Sequence, residues 1–189
     1  GKCQYLSKED CHSERNEESN IKSKSNQLLI TIMPYMINCK GKLIDLSTPK
    51  VMGILNVTPD SFFDGGKYTA MDAILFQAEK MLTEGADFID IGGMSSKPGA
   101  TIIAAEDEIQ RVLPALEAIL KRFPETIISI DTVHAKTADV SVAAGAAIIN
   151  DIAAGEMDTN MISTVAKLQV PYILMHMQGI PETMQQQPS

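Results

Sequence analysis

Five short apolar runs, each ending abruptly in a polar residue or a glycine, constrain this chain more than any other feature. They are Val51-Met52-Gly53-Ile54-Leu55, Phe88-Ile89-Asp90-Ile91, Ile127-Ile128-Ser129-Ile130, Ala147-Ile148-Ile149 and Tyr172-Ile173-Leu174-Met175. They are too short for helices and rich in β-branched residues, so they read as strands. Amphipathic stretches lie between them. Thr69 with Asp72 forms an Asp variant of the capping box. Met71, Ile74, Leu75, Ala78, Met81 and Leu82 then line one helix face, and Gly85 stops it. The next helix opens on Glu106-Asp107-Glu108, charges that suit a helix N-terminus, and contains Pro114, which is expected to kink it. Two more are expected over about 135–144, before Gly145, and about 158–168. Near-continuously apolar strands alternating with helices mean a parallel sheet covered by helices, with ligands at the carboxyl ends of the strands. Both a (β/α)₈ barrel and a doubly wound open sheet satisfy that pattern. A barrel takes roughly 250 residues. With five strand–helix starts in 189 residues and a polar stretch after His176, the barrel alternative expects only the first part of one here.

Composition narrows the function classes. The chain is 44% hydrophobic and 21% charged, as ordinary globular domains are. It carries 16 Lys and Arg against 24 Asp and Glu, a net charge of −8, and no basic run. That argues against nucleic acid or an anionic membrane as the main partner. The longest apolar runs are strand-sized, so no membrane-crossing helix is expected. Cys3, Cys11 and Cys39 form no CxxC pair, which fits a reduced cytosol and no structural zinc. Residues 1–35 read as a polar leader outside the globular body, too poor in apolar residues to repay the entropy of ordering. Tyr35–Asn38 and Leu43–Leu46 flank Cys39-Lys40-Gly41-Lys42 and read as a hairpin with Gly41 in its turn.

The residues that follow the strands are Asn56, Gly92-Gly93, Asp131, Asn150-Asp151 and His176. Taken singly, Asn and Asp at such places are explained by their local backbone bonding, and a lone His by a structural role. Together at one mouth of one sheet they suggest a binding site. Asp131 and Asn150 suit a planar nitrogen heterocycle, because a carboxylate accepts two N–H bonds and an Asn offers both a donor and an acceptor. The loop holding Ser95, Ser96 and Lys97 suits phosphate oxygens, or is a plain exposed strand-to-helix connection. The adjacent Phe62 and Phe63 in the loop after Asn56 suit contact with a ligand.

The run from Val51 to Gly66, with Thr58-Pro59-Asp60-Ser61-Phe62-Phe63 at its centre, closely resembles the opening signature of the dihydropteroate synthases. Ile89-Asp90-Ile91-Gly92-Gly93, Ser129-Ile130-Asp131-Thr132, Ile148-Ile149-Asn150-Asp151 and Leu174-Met175-His176-Met177 match further blocks in the same order. The resemblance covers roughly residues 36–189. It implies an α/β fold, a (β/α)₈ TIM barrel with about the first five strand–helix units in this chain. It also implies a magnesium-dependent transferase of folate biosynthesis. The family joins p-aminobenzoate to 6-hydroxymethyl-7,8-dihydropterin pyrophosphate, giving 7,8-dihydropteroate and pyrophosphate, and sulfonamides compete for the p-aminobenzoate site. By the same resemblance Asp131 and Asn150 hold the pterin, Ser96 and Lys97 the pyrophosphate, and Asn56 is the residue linked to Mg²⁺. Thr58, Asp60, Phe62 and Pro98 belong to loops at p-aminobenzoate, and a cytoplasmic homodimer is expected. Pyrophosphate would leave first and the arylamine would trap the resulting cation. Met94, Ser96 and Lys97 stand where the family has Glu, Thr and Arg, and Lys keeps the charge of Arg without its bidentate fork. The family's later strands supply further pterin and phosphate ligands that these 189 residues do not contain. Two other functions fit the residues less well, a pterin-dependent methyltransferase domain and a non-catalytic pterin-binding fragment. Residues 58–62 discriminate against the first.

Overall fold

A computed structural model describes residues 35–58, 70–94 and 102–175. The expected leader, apart from Tyr35, lies outside them, as do most of the two glycine-bearing loops and the stretch from residue 176.

The described residues open on a hairpin of β1 (Met36–Cys39) and β2 (Lys42–Asp45). Lys40 and Gly41 in its turn both have positive φ, 52° and 91°, the requirement of a turn that matches strand twist. The Asn38 side chain accepts the Gly41 N–H at 2.7 Å. Five strands follow, β3 (Met52–Asn56), β4 (Phe88–Gly92), β5 (Ile127–Asp131), β6 (Ile148–Asp151) and β7 (Tyr172–Leu174). All five apolar runs are therefore strands, within a residue or so of their expected limits. They form one parallel sheet in the order β3-β4-β5-β6-β7. Strand order in a doubly wound sheet reverses at a switch point. Here every strand joins the outer edge of the one before it, as staves do in a (β/α)₈ barrel.

Four helices connect the strands, α1 (Ala70–Thr83), α2 (Ala105–Arg122), α3 (Ala135–Ala143) and α4 (Met161–Leu168). Pro114 sits within α2, which continues through it. Gly85 and Gly145 end α1 and α3 at φ of 102° and 123°. Each gives its N–H, and that of the next residue, to carbonyls of the last helical turn. The last helix begins at Met161, not at about Asp158 as expected. Asp158 instead spends its carboxylate on the N–H groups of Ala135, at 2.8 Å, and Asn160, at 3.0 Å. It thereby caps α3 from the next unit along, and those backbone bonds hold its carboxyl below the usual range.

Side chains alternate between the two faces of the sheet. Leu55, Ile89, Ile91, Ile128, Ile130 and Ile149 pack outward against Ala78, Val112, Leu116, Ile119, Ala138, Met161 and Val165 of the helices. The inner face is layered. Phe88, Ile127 and Ile148 form an apolar floor with Cys39, Ala147 and the hairpin's Ile37 and Ile44. The Lys40 ammonium donates to the Val142 carbonyl at 2.9 Å, a cation at the end of α3. β3 and β7 are the edges of the described sheet, and Ile54 on β3 is 64% exposed.

Candidate functional site

The strand register builds the site. Asn56 pairs with Gly92, Gly92 with Asp131 and Asp131 with Asn150, so these four residues form one row at the carboxyl ends of β3 to β6. Gly92 leaves the gap in that row. A Cβ there would lie 3.0 Å from Asn56 Oδ1 and 3.5 Å from Asp131 Oδ2, so both oxygens approach the space above one glycine. One step down the inner face, Asp90 pairs with Ser129. Asn150 Nδ2 donates to Asp90 Oδ2 at 3.0 Å. Asp90 Oδ1 and Ser129 Oγ are buried with no hydrogen-bond partner among the described residues.

The charge at this mouth is negative. Burial, and then the charges of Asp90, Glu108 and Asp151, push the Asp131 carboxyl up to about 7. Burial also raises Asp90, against the pull of the nearby Ser129 hydroxyl and the Asn150 amide. The Ser129 hydroxyl is close enough to act on that charge, though its geometry does not make a hydrogen bond to it.

Behind the row a fully buried acid joins two loops. Glu108, in the first turn of α2, accepts the Thr132 hydroxyl at 2.5 Å, and Thr132 Oγ1 accepts the His134 N–H at 3.0 Å. The Thr132 N–H is bonded to the Asn150 carbonyl at 3.0 Å. Glu108 and Val112 also press on Gly93, where an added Cβ would meet each at 2.9 Å. Arg111 holds the Gly93 carbonyl at 3.0 Å. The start of the loop after β4 and the start of the loop after β5 are thus tied to the same turn of α2.

Of the residues singled out in the sequence, the structure brings Asn56, Asp131 and Asn150 together. Thr58 follows two residues after Asn56 and is half-buried. Asp60, Phe62, Ser96, Lys97, Pro98 and His176 lie outside the described residues. Asp151 does not join the mouth. Its carboxylate turns to the loop after β6, accepting the N–H of Ala153 at 2.8 Å and of Gly155 at 2.7 Å, and the Tyr172 hydroxyl at 2.6 Å. Adjacent strand residues face opposite ways, so Asn150 and Asp151 could not both point inward. Asp90 and Glu108 were missed as site residues. The signal for Asp90 was its place two residues before Gly92 on the inner set of β4. That for Glu108 was its spacing to Val112, Ala115 and Ile119 on the buried face of α2.

The fold and this mouth define a pterin-binding (β/α) enzyme scaffold. The profile of the pterin-binding enzyme family matches residues 52–189, and the chain belongs to that family. It is 47% identical over 148 residues to the dihydropteroate synthase of Haemophilus influenzae, a match covering 78% of this chain and 53% of the relative. Among solved structures it is similar to the Yersinia pestis dihydropteroate synthase in complex with a sulfonamide drug, at 45% identity and a TM-score of 0.72. That match covers 82% of this chain and 55% of the other. It is also similar to the Xanthomonas albilineans dihydropteroate synthase with 4-aminobenzoic acid, at 41% identity and a TM-score of 0.70, covering 77% of this chain and 53% of that one. The chain spans about half the length of each of these relatives.

Proposed function

We propose that the protein carrying this chain is a dihydropteroate synthase, condensing 6-hydroxymethyl-7,8-dihydropterin pyrophosphate with p-aminobenzoate. The observation that carries the reading is the row Asn56, Gly92, Asp131 and Asn150, on a scaffold of the pterin-binding family. Asp131 and Asn150 hold the heterocycle, one accepting ring N–H groups and the other offering an acceptor and a donor. As the C–O bond to pyrophosphate breaks, positive charge spreads into the pterin. The negative mouth around Asp131, Asp90 and Glu108 stabilises that charge. The arylamine nitrogen then forms the C–N bond and loses its proton, so no protein nucleophile is required. Ser96 and Lys97 serve the pyrophosphate, and Thr58, Asp60, Phe62 and Pro98 serve p-aminobenzoate.

Asn56 Oδ1, at the mouth, is a hard oxygen donor and would hold Mg²⁺. No cage of three or more His, Cys, Asp or Glu exists among the described residues. A site using one protein oxygen together with substrate phosphates suits this ion. When bound, Mg²⁺ supplies charge for the departing pyrophosphate. No described helix is long and apolar enough to cross a membrane. We assign the protein to the cytoplasm and expect a homodimer.

The test is pyrophosphate release by the full-length protein, given the pterin pyrophosphate and Mg²⁺ with and without p-aminobenzoate. Release that depends on p-aminobenzoate is expected. Release that ignores it, or none, would overturn the reading. Gly92→Ala probes the geometry of the row. The added methyl pushes Asn56 and Asp131 apart, so kcat/KM for the pterin is expected to fall about tenfold. Stability should change by less than about 1 kcal/mol, because only side-chain ends must move. Unchanged kinetics would show that the two oxygens do not act on one ligand.

A further inference from the structure

In the reaction just described Asp90 only adds to the charge of the mouth, yet it is the acid set deepest on the inner face of the sheet. It is 4% exposed, and no cation lies within ion-pair distance of it among the described residues. A carboxylate placed so is costly to fold, and an apolar residue of similar size would be cheaper. Among the described residues its one side-chain hydrogen bond is to Asn150 Nδ2, at 3.0 Å, and Oδ1 has no partner.

That bond has a chemical direction. An ionised carboxylate only accepts hydrogen bonds. Asp90 can therefore hold the NH₂ end of the Asn150 amide and cannot hold its carbonyl end. Without such a partner the amide can turn over by 180° and exchange its oxygen and nitrogen. With it, Asn150 faces the mouth with its carbonyl oxygen and one remaining N–H in a set order.

We propose that Asp90 is a positioning residue that fixes the donor–acceptor order of Asn150 and so selects an amino-substituted heterocycle over its oxo counterpart. The proposal rests on the pterin reading above. A ring edge with an amino group beside a bare ring nitrogen presents a donor next to an acceptor. Replacing the amino group by a carbonyl puts a hydrogen on the ring nitrogen, and the order reverses. Against a locked amide, the reversed edge sets donor against donor and acceptor against acceptor. Such mispairing in a buried site rejects a ligand strongly. An unlocked amide turns to suit either edge.

The test uses the full-length protein and calorimetric affinities for 6-hydroxymethylpterin and its 2-oxo counterpart. The unmodified protein is expected to prefer the amino form by about 100-fold or more. In Asp90→Asn, whose own amide can present either end, the preference should fall below about tenfold, mainly through weaker binding of the amino form. In an Asn150→Ala background, Asp90→Asn should change the preference no further, because the two residues act as one unit. A folded Asp90→Asn protein with its preference intact would overturn the proposal, as would an equal effect of Asp90→Asn in both backgrounds. Should Asp90→Asn not fold, the unmodified protein still decides, since equal binding of both ligands overturns the lock while leaving the pterin reading in place. Binding of neither ligand overturns the pterin reading and the lock with it.

Discussion

Asp131→Asn is expected to make the protein more stable at pH 8 and almost unable to use its pterin substrate. The carboxyl is pushed up to about 7, mainly by burial and then by Asp90, Glu108 and Asp151. A group whose pKa is higher folded than unfolded binds protons more tightly in the folded state. Its contribution to stability is therefore complete below about pH 4 and is lost as the pH rises to about 7. At pH 8 the ionised carboxylate opposes folding by at most about 4 kcal/mol, and solvent screening at this partly open site reduces that to about 1–3 kcal/mol. Asparagine removes the charge at nearly the same volume. Urea midpoints should rise in the variant at pH 8 and differ little from the unmodified protein at pH 4.

The same substitution turns one of the two acceptors for ring N–H groups into a donor and removes the charge from the other. Charge-assisted bonds of this kind are worth about 1.5–3 kcal/mol each, so kcat/KM for the pterin pyrophosphate should drop about 10²–10³-fold. In the unmodified protein kcat/KM should decline as the pH falls below about 7, where Asp131 takes up its proton, and the variant should lack that decline. A midpoint shift of the same size at both pH values would remove the electrostatic account. A retained acid decline in the variant would assign it to another group. Stability given up at a binding site is a common trade, and here its physical source is burial of the carboxyl, with the neighbouring acids adding to it.

The sheet was legible because a parallel, helix-covered strand shows as an unbroken apolar run, and five such runs stand clear of the amphipathic stretches. Asn56, Asp131 and Asn150 were legible for a related reason, since a polar residue that breaks such a run marks the strand end where ligands gather. Asp90 was hidden inside a run. Between Ile89 and Ile91 it reads as an interruption, and only the two-residue alternation with Phe88 and Gly92 shows that it shares the inner face. Glu108 was hidden differently, as one of three acids opening α2, where helix charge alone explains all three. Its neighbours Glu106 and Lys136 form the exposed ion pair such charges usually make, at 2.6 Å. Glu108 instead turns inward to Thr132. Only its helical spacing to Val112, Ala115 and Ile119 separates it from the other two acids, and the packing of α2 on the sheet makes that spacing count.

Asp151→Ala is expected to cost about 3–5 kcal/mol of stability, the largest effect of any single change considered. Asp151 is fully buried and is the shared acceptor for two backbone N–H groups and the Tyr172 hydroxyl. Removing it strands one buried and two part-buried donors, worth about 1–3 kcal/mol each when unpaired and buried, though the loop can relax to recover part of that. The loop itself is held in an uncommon conformation, with Ala154 at φ 51° and Gly155 at φ 83°. Losing its anchor releases the non-glycine residue from the left-handed region, another route by which the loop can let go. Tyr172→Phe removes one donor and its bond together, so it should cost only about 1–1.5 kcal/mol. Asp151→Asn should fall between the two, since one of its ends now faces a donor with a donor. It should also move the acid decline of kcat/KM to lower pH, because Asp151 is one of the charges that raise Asp131. Chemical denaturation ranks the three variants, and the pH profile of Asp151→Asn separates the loop anchor from its electrostatic reach. If that profile stays in place while stability falls, the charge of Asp151 does not reach the mouth. If Tyr172→Phe is as damaging as Asp151→Ala, the backbone bonds are not what holds the loop.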